Sequence, residues 1–413
     1  MTALPKQEQP ETNGFPVVDG SLQIGGMPLS RLAARVGRTP FYAYDRNLID
    51  RQIALLRQHL PAHVGVSYAV KANPMPALVC HMAGLVEGFD VASAGELKTV
   101  LDSAMPAERI SFAGPGKTQD ELRQAVAAGI TVNIESESEL AGLEEAGRAL
   151  GLRPRVAVRV NPSFELRGAR LRMGGQARQF GIDSERVPAL FKAIGKADIE
   201  FRGLHIFTGT QNLNAETITE AQTKTIEHAI ELAADAPGPI RLLNMGGGFG
   251  IPYFPQDQPL DIAAVGRGLA AVMPRAQAAL PEARLIVELG RYLVGGAGIY
   301  VCRVLDRKIS KDEVFLVTDG GLHHHLAASG NFGQTIRRNF PVAIGNRLGD
   351  GAPEEVVSVV GCLCTPLDLL ADKVSLPAAE IGDLVVVFQS GAYGLTASPA
   401  AFLSHPAAAE VLV

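Results

Sequence analysis

Eight short apolar segments, separated by mostly helical stretches, restrict the possible folds of this chain more than any other feature. The segments are GVSYAV (65–70), GFDVAS (88–93), RISFAG (109–114), TVNIES (131–136), RVAVRV (155–160), FRGLHIF (201–207), IRLLNM (240–245) and RLIVEL (284–289). The alanine-, leucine- and glutamate-rich stretches that favour helices are 76–87, 95–103, 119–128, 137–150, 215–234 and 263–280. Strands that alternate with helices predict parallel pairing. Eight alternations over about 230 residues predict a (β/α)8 TIM barrel, which typically takes about 250 residues.

After Gly298 the pattern changes to β-rich segments separated by turns: IYVCRVLDRK, EVFLVTDGG, EEVVSVVG and DLVVVFQSG. A second, all-β domain is therefore predicted after the barrel, and 413 residues are enough for two domains. The N-terminal segment from FPVVDGSLQIGGMPLS to TPFYAYD is also strand-like and is expected to add strands to that domain. We predict N-terminal strands over 1–44, the barrel over 45–292 and the β domain over 293–413.

Charge and hydropathy exclude several functional classes. The formal net charge is −5, with both signs interspersed, so no basic stripe for nucleic acid is present. No apolar run approaches the roughly 18 residues of a membrane span, and the polar N-terminus lacks the apolar segment of a signal peptide. The four cysteines have neither zinc-site nor redox-motif spacing, so we expect free thiols in a cytoplasmic protein.

Polar residues cluster where the predicted barrel strands end, which is where barrel enzymes carry their chemistry. The residues at or near these ends are Lys71, Asp90, Ser93, Arg159, Asn161, His205, Thr208, the glycine loop Gly246-Gly247-Gly248-Phe249-Gly250, Glu288 and Arg291. A lysine in an apolar pocket can form a Schiff base with an aldehyde. Glycines let backbone N–H groups approach a phosphate, and a carboxylate keeps a pyridine nitrogen protonated. Together these groups predict pyridoxal 5'-phosphate as the cofactor.

Six motifs resemble those of the pyridoxal-phosphate decarboxylases of the alanine-racemase-like fold, the family of diaminopimelate, ornithine and arginine decarboxylases. They are YAVKANP, FDVASAGEL, NMGGGFGIPY, ELGRYLVGGAG, GCLCTPLDLLA and QSGAYG, and they occur in order from about residue 40 onward. The resemblance implies that Lys71 binds the cofactor covalently, that His205 stacks on its ring and that Glu288 pairs with the ring nitrogen. It also implies that the glycine loop, Thr208 and Tyr393 hold the phosphate.

The resemblance extends to substrate binding and assembly. Asp90, Arg159 and Arg291 are expected to contribute to the cofactor site. Arg291 is also expected to contact substrate, as are Cys364, Thr365 and Tyr393. Cys364 is expected to reach the neighbouring subunit's active site in a head-to-tail homodimer and to protonate the product carbanion. Glu288 favours a decarboxylase over a racemase, since racemases of this fold place an arginine opposite the ring nitrogen. Retention of Lys71, Glu288, Cys364 and Tyr393 argues against an inactive binding homologue.

Simpler interpretations exist for several of these residues. Alone, Lys71 would be a surface lysine, His205 a hydrogen-bonded core histidine, Glu288 an ion-pair partner and Cys364 a small packed side chain. The GPGKT stretch at 114–118 resembles part of a nucleotide-binding loop but lacks its upstream glycine and is placed on the third strand. The three histidines at 323–325 are expected to point to alternate faces of an extended chain, so no metal site is predicted.

The sequence around Cys364 guides the choice of substrate. Diamino-acid decarboxylases resembling this chain usually follow the active-site cysteine with an acid, whereas here Thr365 and Pro366 follow it. A buried distal ammonium would then lack its partner unless Asp368 substitutes. The segments HIFTGTQNLN, RMGGQARQFGID and DGGLHHH resemble decarboxylases that act on glutamate tethered to an acyl carrier protein, and those of exopolysaccharide gene clusters.

An α-decarboxylase of an acyl- or carrier-linked amino acid is therefore predicted, with a decarboxylase of free diaminopimelate, ornithine or lysine as the alternative. Arg337 and Arg338 are expected either to contact an acidic carrier or to lie in a solvated turn.

Overall fold

The computed structural model of the chain describes residues 12, 14–164, 171–172, 177–334, 336–349 and 351–413. The chain divides into two compact units. The barrel unit comprises Gln52–Pro252 and Gln258–Tyr292. The β unit comprises Met1–Arg51, Tyr253–Asp257 and Leu293–Val413, of which residues 1–11, 13, 335 and 350 lie outside the described part.

The barrel unit contains a closed parallel barrel, which confirms the predicted fold. Its eight strands, called barrel strands one to eight, are Val64–Ala69, Gly88–Val91, Ile110–Phe112, Thr131–Ile134, Arg155–Asn161, Glu200–Ile206, Leu242–Gly247 and Arg284–Leu289. Each strand pairs in parallel with the next, and strand eight pairs with strand one to close the ring. Short strands Ile182–Asp183, Leu171–Arg172 and Gly209–Thr210 lie outside the ring.

Helices connect the barrel strands. They are Arg46–His59, Pro76–Met82, Ala94–Leu101, Gln119–Ala128, Glu137–Leu150, Val187–Ile194, Ala215–Ala233, Ile262–Ala279 and the single turn Arg291–Val294. Gln119–Ala128 shows why such helices start where they do, because Thr118 and Glu121 form a reciprocal capping box at its N-terminus and Gly129 ends it in a left-handed conformation. No helix in the described ranges is both long and apolar enough to cross a membrane.

The described residues of the β unit form mainly sheet, and the α-helix that lies wholly within them is Leu29–Val36. The strands of this unit are Val17–Val18, Ser21–Ile24, Met27–Pro28, Phe41–Tyr44, Gly298–Ser310, Glu313–Thr318, Val342–Ile344, Glu354–Val360, Leu369–Pro377, Leu384–Val387 and Ala409–Leu412. The N-terminal strand Phe41–Tyr44 lies between Gly298–Ser310, with which it is antiparallel, and Ala409–Leu412, with which it is parallel. N-terminal strands therefore complete this sheet, as the sequence predicts.

The hydrophobic core of the β unit draws on residues that are far apart in sequence. Leu22, Ile24 and Leu29 from the N-terminal part pack with Ile299 and Val386 from the C-terminal part, and all five side chains are buried. Because this apolar surface comes from both ends of the chain, neither end can bury it alone.

Candidate active site

Lys71 follows barrel strand one directly, in the short helical turn Val70–Ala72. The turn is fixed from both sides, since the Tyr68 hydroxyl donates to the Asn73 carbonyl oxygen at 2.9 Å and the Asn73 side chain accepts the Met75 N–H at 3.1 Å. The Asn-Pro pair thus ends the strand in a rigid turn. The Lys71 side chain remains 47% exposed, so its amine is accessible to a ligand.

Glu288, at the end of barrel strand eight, is the carboxylate nearest to that amine. Its Oε1 lies 3.4 Å from Lys71 Nζ, and its Oε2 lies 3.0 Å from Nε2 of His205, which ends strand six. Both Glu288 and His205 are buried. Burial acts to raise the pKa of Glu288, but the charge of Lys71 and the proximity of His205 outweigh it and hold that pKa below its usual range. Glu288 is therefore ionised at neutral pH.

Asp90 on barrel strand two is the second buried carboxylate of the site. Asn244 connects it to Glu288, because its Nδ2 lies 3.4 Å from Asp90 Oδ1 and 3.3 Å from Glu288 Oε2. The Ser111 hydroxyl also donates to Asp90. Burial, followed by the charge of Glu288, raises the pKa of Asp90 to about 7. The two carboxyl groups therefore have very different pKa values.

The glycine loop begins within barrel strand seven. Two of its glycines have a positive φ angle, 64° at Gly246 and 75° at Gly248. A Cβ atom at Gly248 would overlap the carbonyl oxygen of Gly209, so only glycine fits there. The Gly246 N–H donates to Asn244 Oδ1 at 2.9 Å, and Phe249 packs edge-on against Tyr292 with ring centroids 5.6 Å apart. Thr208 follows strand six and is half-buried.

Arg159, on barrel strand five, belongs to a buried network that the sequence analysis missed. Its Nη1 donates to Glu135 Oε1 at 2.8 Å, and its guanidinium lies 4.9 Å from the centroid of the Phe180 ring. Beside this pair, Lys117 Nζ lies 3.0 Å from Glu139 Oε1, and both side chains are buried. Glu135 directly follows strand four, so the strand-end rule that identified Lys71 would also have identified it.

The position of Lys117 corrects one detail of the sequence analysis. The GPGKT stretch does not lie on the third strand, which ends at Phe112, but in the turn before helix Gln119–Ala128. Because Lys117 is paired with Glu139 and also donates to the Gly114 carbonyl oxygen at 2.6 Å, it is committed to the fold and cannot serve a nucleotide phosphate.

The remaining predicted site residues lie elsewhere in the chain. Arg291 begins the single-turn helix after barrel strand eight and is half-buried. Cys364, Thr365 and Tyr393 belong to the β unit, where Cys364 is exposed and the other two are half-buried. Tyr393 has a positive φ of 55°, which is uncommon for a residue other than glycine. Barrel residues Lys71, Asp90, His205 and Glu288 thus form one cluster by themselves.

Asp368 holds the segment that carries Cys364 in place. Its Oδ1 accepts the Leu322 N–H at 2.6 Å and its Oδ2 accepts the Leu363 N–H at 2.8 Å, and the side chain is buried. A Cβ atom at Gly321 or Gly361 would overlap this carboxylate. Each Asp368 oxygen therefore accepts one backbone N–H, which ties this carboxylate to the fold of the β unit.

The chemical groups of the barrel cluster match those that bind pyridoxal phosphate. The cluster offers an accessible amine for an aldehyde, an ionised carboxylate for a pyridinium nitrogen and a glycine loop for a phosphate. Two buried atoms, His205 Nδ1 and Asp90 Oδ2, have no hydrogen-bond partner among the described residues. Buried polar atoms without partners are rare in folded proteins, so these two are suited to a polar ligand in the cluster.

Comparison with known proteins agrees with this chemistry. Residues 46–295 match the family model described as pyridoxal-dependent decarboxylase, pyridoxal binding domain. The chain is 40% identical to an L-glutamyl-[BtrI acyl-carrier protein] decarboxylase of Niallia circulans over 383 residues, which cover 91% of this chain and 88% of that protein. It is 33% identical to a diaminopimelate decarboxylase of Aquifex aeolicus, covering 96% of this chain and 91% of that one.

Solved structures show the same architecture. The crystal structure of diaminopimelate decarboxylase from M. jannaschii in complex with L-lysine superposes with a TM-score of 0.84 at 26% identity, covering 97% of this chain and 93% of that one. The crystal structure of AQ1208 from Aquifex aeolicus gives a TM-score of 0.83 at 31% identity, covering 97% and 92%.

Proposed function

Because the chain belongs to the family of pyridoxal-dependent decarboxylases, we propose that it removes the α-carboxyl group of an L-amino acid linked through its side chain to an acyl carrier protein. Family membership makes it a carboxy-lyase that uses pyridoxal phosphate. We further propose the identity of the substrate, the roles of individual residues and the assembly into dimers.

Each residue of the barrel cluster has a role that follows from its position. Lys71 Nζ would hold the cofactor, and Glu288 would keep a proton on its ring nitrogen because the carboxylate is ionised and buried. His205 would pack on the ring. When bound, pyridoxal phosphate supplies an electron sink for the electron pair left at the α-carbon after loss of carbon dioxide. The glycine loop, Thr208 and Tyr393 would hold the phosphate, and Asp90 and Arg159 would support the site.

Cys364 would return a proton to the α-carbon. In a single chain its thiol is exposed, whereas carbanion chemistry requires a site from which water is excluded. We propose that a second copy of the chain covers the Cys364 thiol. Each active site of the homodimer would then contain Lys71 from one subunit and Cys364 from the other. Arg291 and Thr365 would contact the substrate.

The neutral residues Thr365 and Pro366 after Cys364, together with the backbone contacts of Asp368, carry the choice of substrate. Asp368 is the sole acidic residue of segment 361–368, and its two oxygens already accept backbone N–H groups. An ammonium buried beside this segment without a partner would cost several kcal/mol. A substrate with an uncharged distal end, such as a γ-glutamyl thioester, avoids this cost. The name of the Niallia circulans relative describes a substrate of this kind, a glutamyl group linked to an acyl-carrier protein.

Arg338 is the better candidate of the two arginines for contact with a carrier. Arg337 Nη2 donates to the Leu369 carbonyl oxygen at 2.9 Å, which ties that side chain to the β unit. The Arg338 guanidinium carbon instead lies over the Phe254 ring, 3.6 Å from its centroid. Ile336, the residue directly before Arg337, is 79% exposed. Acyl carrier proteins that are acidic would be attracted to such a cation next to an apolar side chain.

A mass-spectrometric screen for loss of carbon dioxide tests the proposal. γ-Glutamyl thioesters of a carrier protein and of a small thiol would be compared with free diaminopimelate, ornithine, lysine and arginine. We expect turnover of the thioesters, with Arg338→Glu weakening only the carrier-linked reaction and Arg148→Glu, at an exposed position on a barrel helix, changing neither. Efficient turnover of a free diamino acid and none of a thioester would overturn the substrate proposal and favour the alternative that the diaminopimelate decarboxylase relatives suggest.

Thr365 provides a matched pair of variants for the same screen. Thr365→Glu restores an acid after the cysteine and is expected to raise turnover of diamino acids relative to the thioester. Thr365→Gln has nearly the same size without the charge and should not. An equal response of the two variants would show that charge at this position does not select the substrate.

A further inference from the structure

Three residues of the β unit, His323, Cys362 and His405, each bring one potential ligand atom within 4.8 Å of the other two. They come from different segments: the turn after strand Glu313–Thr318, the residue pair after strand Glu354–Val360, and the stretch before strand Ala409–Leu412. Two imidazoles and a thiol form a donor set that suits zinc. Residues so distant in sequence meet here only because the fold brings them together.

His323 provides an independent indication of a ligand. Its side chain is fully buried, and neither ring nitrogen has a hydrogen-bond partner among the described residues. Its neighbours differ in this respect: His324 Nε2 lies 2.8 Å from the Pro406 carbonyl oxygen, and His325 lies between the Ser390 hydroxyl at 2.9 Å and the Ala328 N–H at 3.2 Å. A buried imidazole without a partner is costly, so a bound ion at this position would remove the cost.

The three ligand atoms lie near one another but farther apart than in a tetrahedral zinc site. Cys362 Sγ is 3.9 Å from both ring nitrogens of His405. A sulfur at about 2.3 Å and a nitrogen at about 2.0 Å from zinc would be about 3.5 Å apart in a tetrahedron. The three ligand atoms all lie within 4.8 Å of one another, so binding would draw them together by about 1 Å.

A metal site was rejected from the sequence because the histidine segment was expected to be extended, and the structure shows a different backbone conformation there. The N–H groups of His324 and His325 both donate to the Gly321 carbonyl oxygen at 3.0 Å, so this segment is a turn and not the extended chain that was expected. In the turn, His323 faces Cys362 and His405, while the other two histidines have partners of their own.

We propose that His323, Cys362 and His405 bind Zn²⁺ and so anchor the segment that carries Cys364. On binding, a zinc–sulfur bond forms, the thiol S–H bond breaks and its proton passes to solvent, with no change of oxidation state. Water takes the fourth position. Since Cys362 is two residues from Cys364, and Asp368 holds the segment on its other side, the ion fixes the thiol that donates a proton in the proposed reaction.

Metal analysis of the cofactor-loaded protein, purified without a histidine tag, tests this site. After incubation with zinc chloride and dialysis, we expect about one zinc per chain, consistent with a single three-ligand site. Cys362→Ser and His405→Asn should each weaken zinc binding at least about tenfold. Cys80→Ser and His63→Asn, at exposed positions in the barrel unit, serve as matched controls and should bind zinc normally.

Cobalt substitution identifies the ligand atom directly. Co²⁺ should give a thiolate charge-transfer absorption band in the wild-type protein and in Cys80→Ser, and this band should be missing in Cys362→Ser. Should Cys362→Ser fail to fold, protection of Cys362 from alkylation by zinc in the wild-type protein, with Cys80 as the internal reference, measures the same contact. Zinc content equal in wild type and Cys362→Ser, a band that persists in that variant, or no protection of Cys362 would each overturn the proposal.

Discussion

Lys71 combines an accessible amine with a buried counter-charge, and this combination determines its chemistry. Nearly half of its side chain is exposed, while Nζ lies 3.4 Å from a carboxylate that is almost fully buried. The location of the lysine was predictable, because polar residues at the ends of barrel strands can be read directly from the sequence. The link that Asn244 makes between Asp90 and Glu288 was not, since it depends on distances between strands.

Lys71→Ala should remove the visible absorption of the bound cofactor and lower activity by at least about 10²-fold, the lower range for losing a positioned catalytic group. Absorption spectra and decarboxylation rates would check both effects. Lys98→Ala is the matched control, because this exposed lysine only pairs with Asp102 on the surface. Unchanged activity in Lys71→Ala would contradict the assignment.

Cys364→Ala should slow turnover by about 10²- to 10⁴-fold, the usual contribution of a general acid, or divert the proton to the cofactor, while the cofactor remains bound. Product analysis together with the absorption spectrum separates these effects. Cys80→Ala, which removes another exposed thiol, should behave as wild type. If Cys364→Ala instead loses cofactor, its role as proton donor is wrong.

Asp90 should make the stability of the cofactor-free protein depend on pH. Burial and then Glu288 raise its pKa to about 7, above the value of about 3.9 in an unfolded chain. The folded state therefore holds the extra proton between these values, and stability should fall as pH rises from about 4 to about 7 and then level off. Melting temperatures from pH 4 to 8 should show this fall in wild type relative to Asp90→Asn. Parallel curves for the two proteins would contradict the shift.

At the scale of elements, strands were predicted more accurately than helices. All eight barrel strands were identified within three residues at either end, because their apolar residues are buried on both faces. Among the described helices of two turns or more, Leu29–Val36, Arg46–His59 and Val187–Ile194 were missed. Residues 173–176 of the RMGGQARQFGID segment lie outside the described residues.

Asp368→Ala should destabilise the segment that carries Cys364 more than it changes the choice of substrate. The variant loses two hydrogen bonds to a carboxylate, each worth about 1.5–3 kcal/mol, and leaves the N–H groups of Leu322 and Leu363 without acceptors. Denaturant unfolding should report the loss, and turnover should fall for every substrate alike. Asp372→Ala, at an exposed position in the same unit, serves as the control. A selective loss of diamino-acid turnover would instead assign Asp368 to substrate recognition.

At the scale of the whole molecule, the proposed dimer predicts recovery of activity on mixing. Inactive Lys71→Ala and inactive Cys364→Ala chains should together reach about one quarter of wild-type activity, since half of the dimers are hybrids with one intact site of two. Native mass spectrometry would confirm subunit exchange. Mixing either variant with itself is the control. No recovery after verified exchange would place both residues in one chain's site.

The pairing of Phe41–Tyr44 with Ala409–Leu412 has a consequence for biosynthesis. These strands are separated by roughly 370 residues of chain, so a ribosome must add all of those residues after Tyr44 before their sheet can close. All eight barrel strands leave the ribosome earlier, and domains generally fold in the order of synthesis. Until the last strand arrives, Phe41–Tyr44 has one unpaired edge, a surface that chaperones and neighbouring nascent chains recognise. Emergence of Ala409–Leu412, rather than formation of the barrel, is then the moment when this edge becomes protected from aggregation.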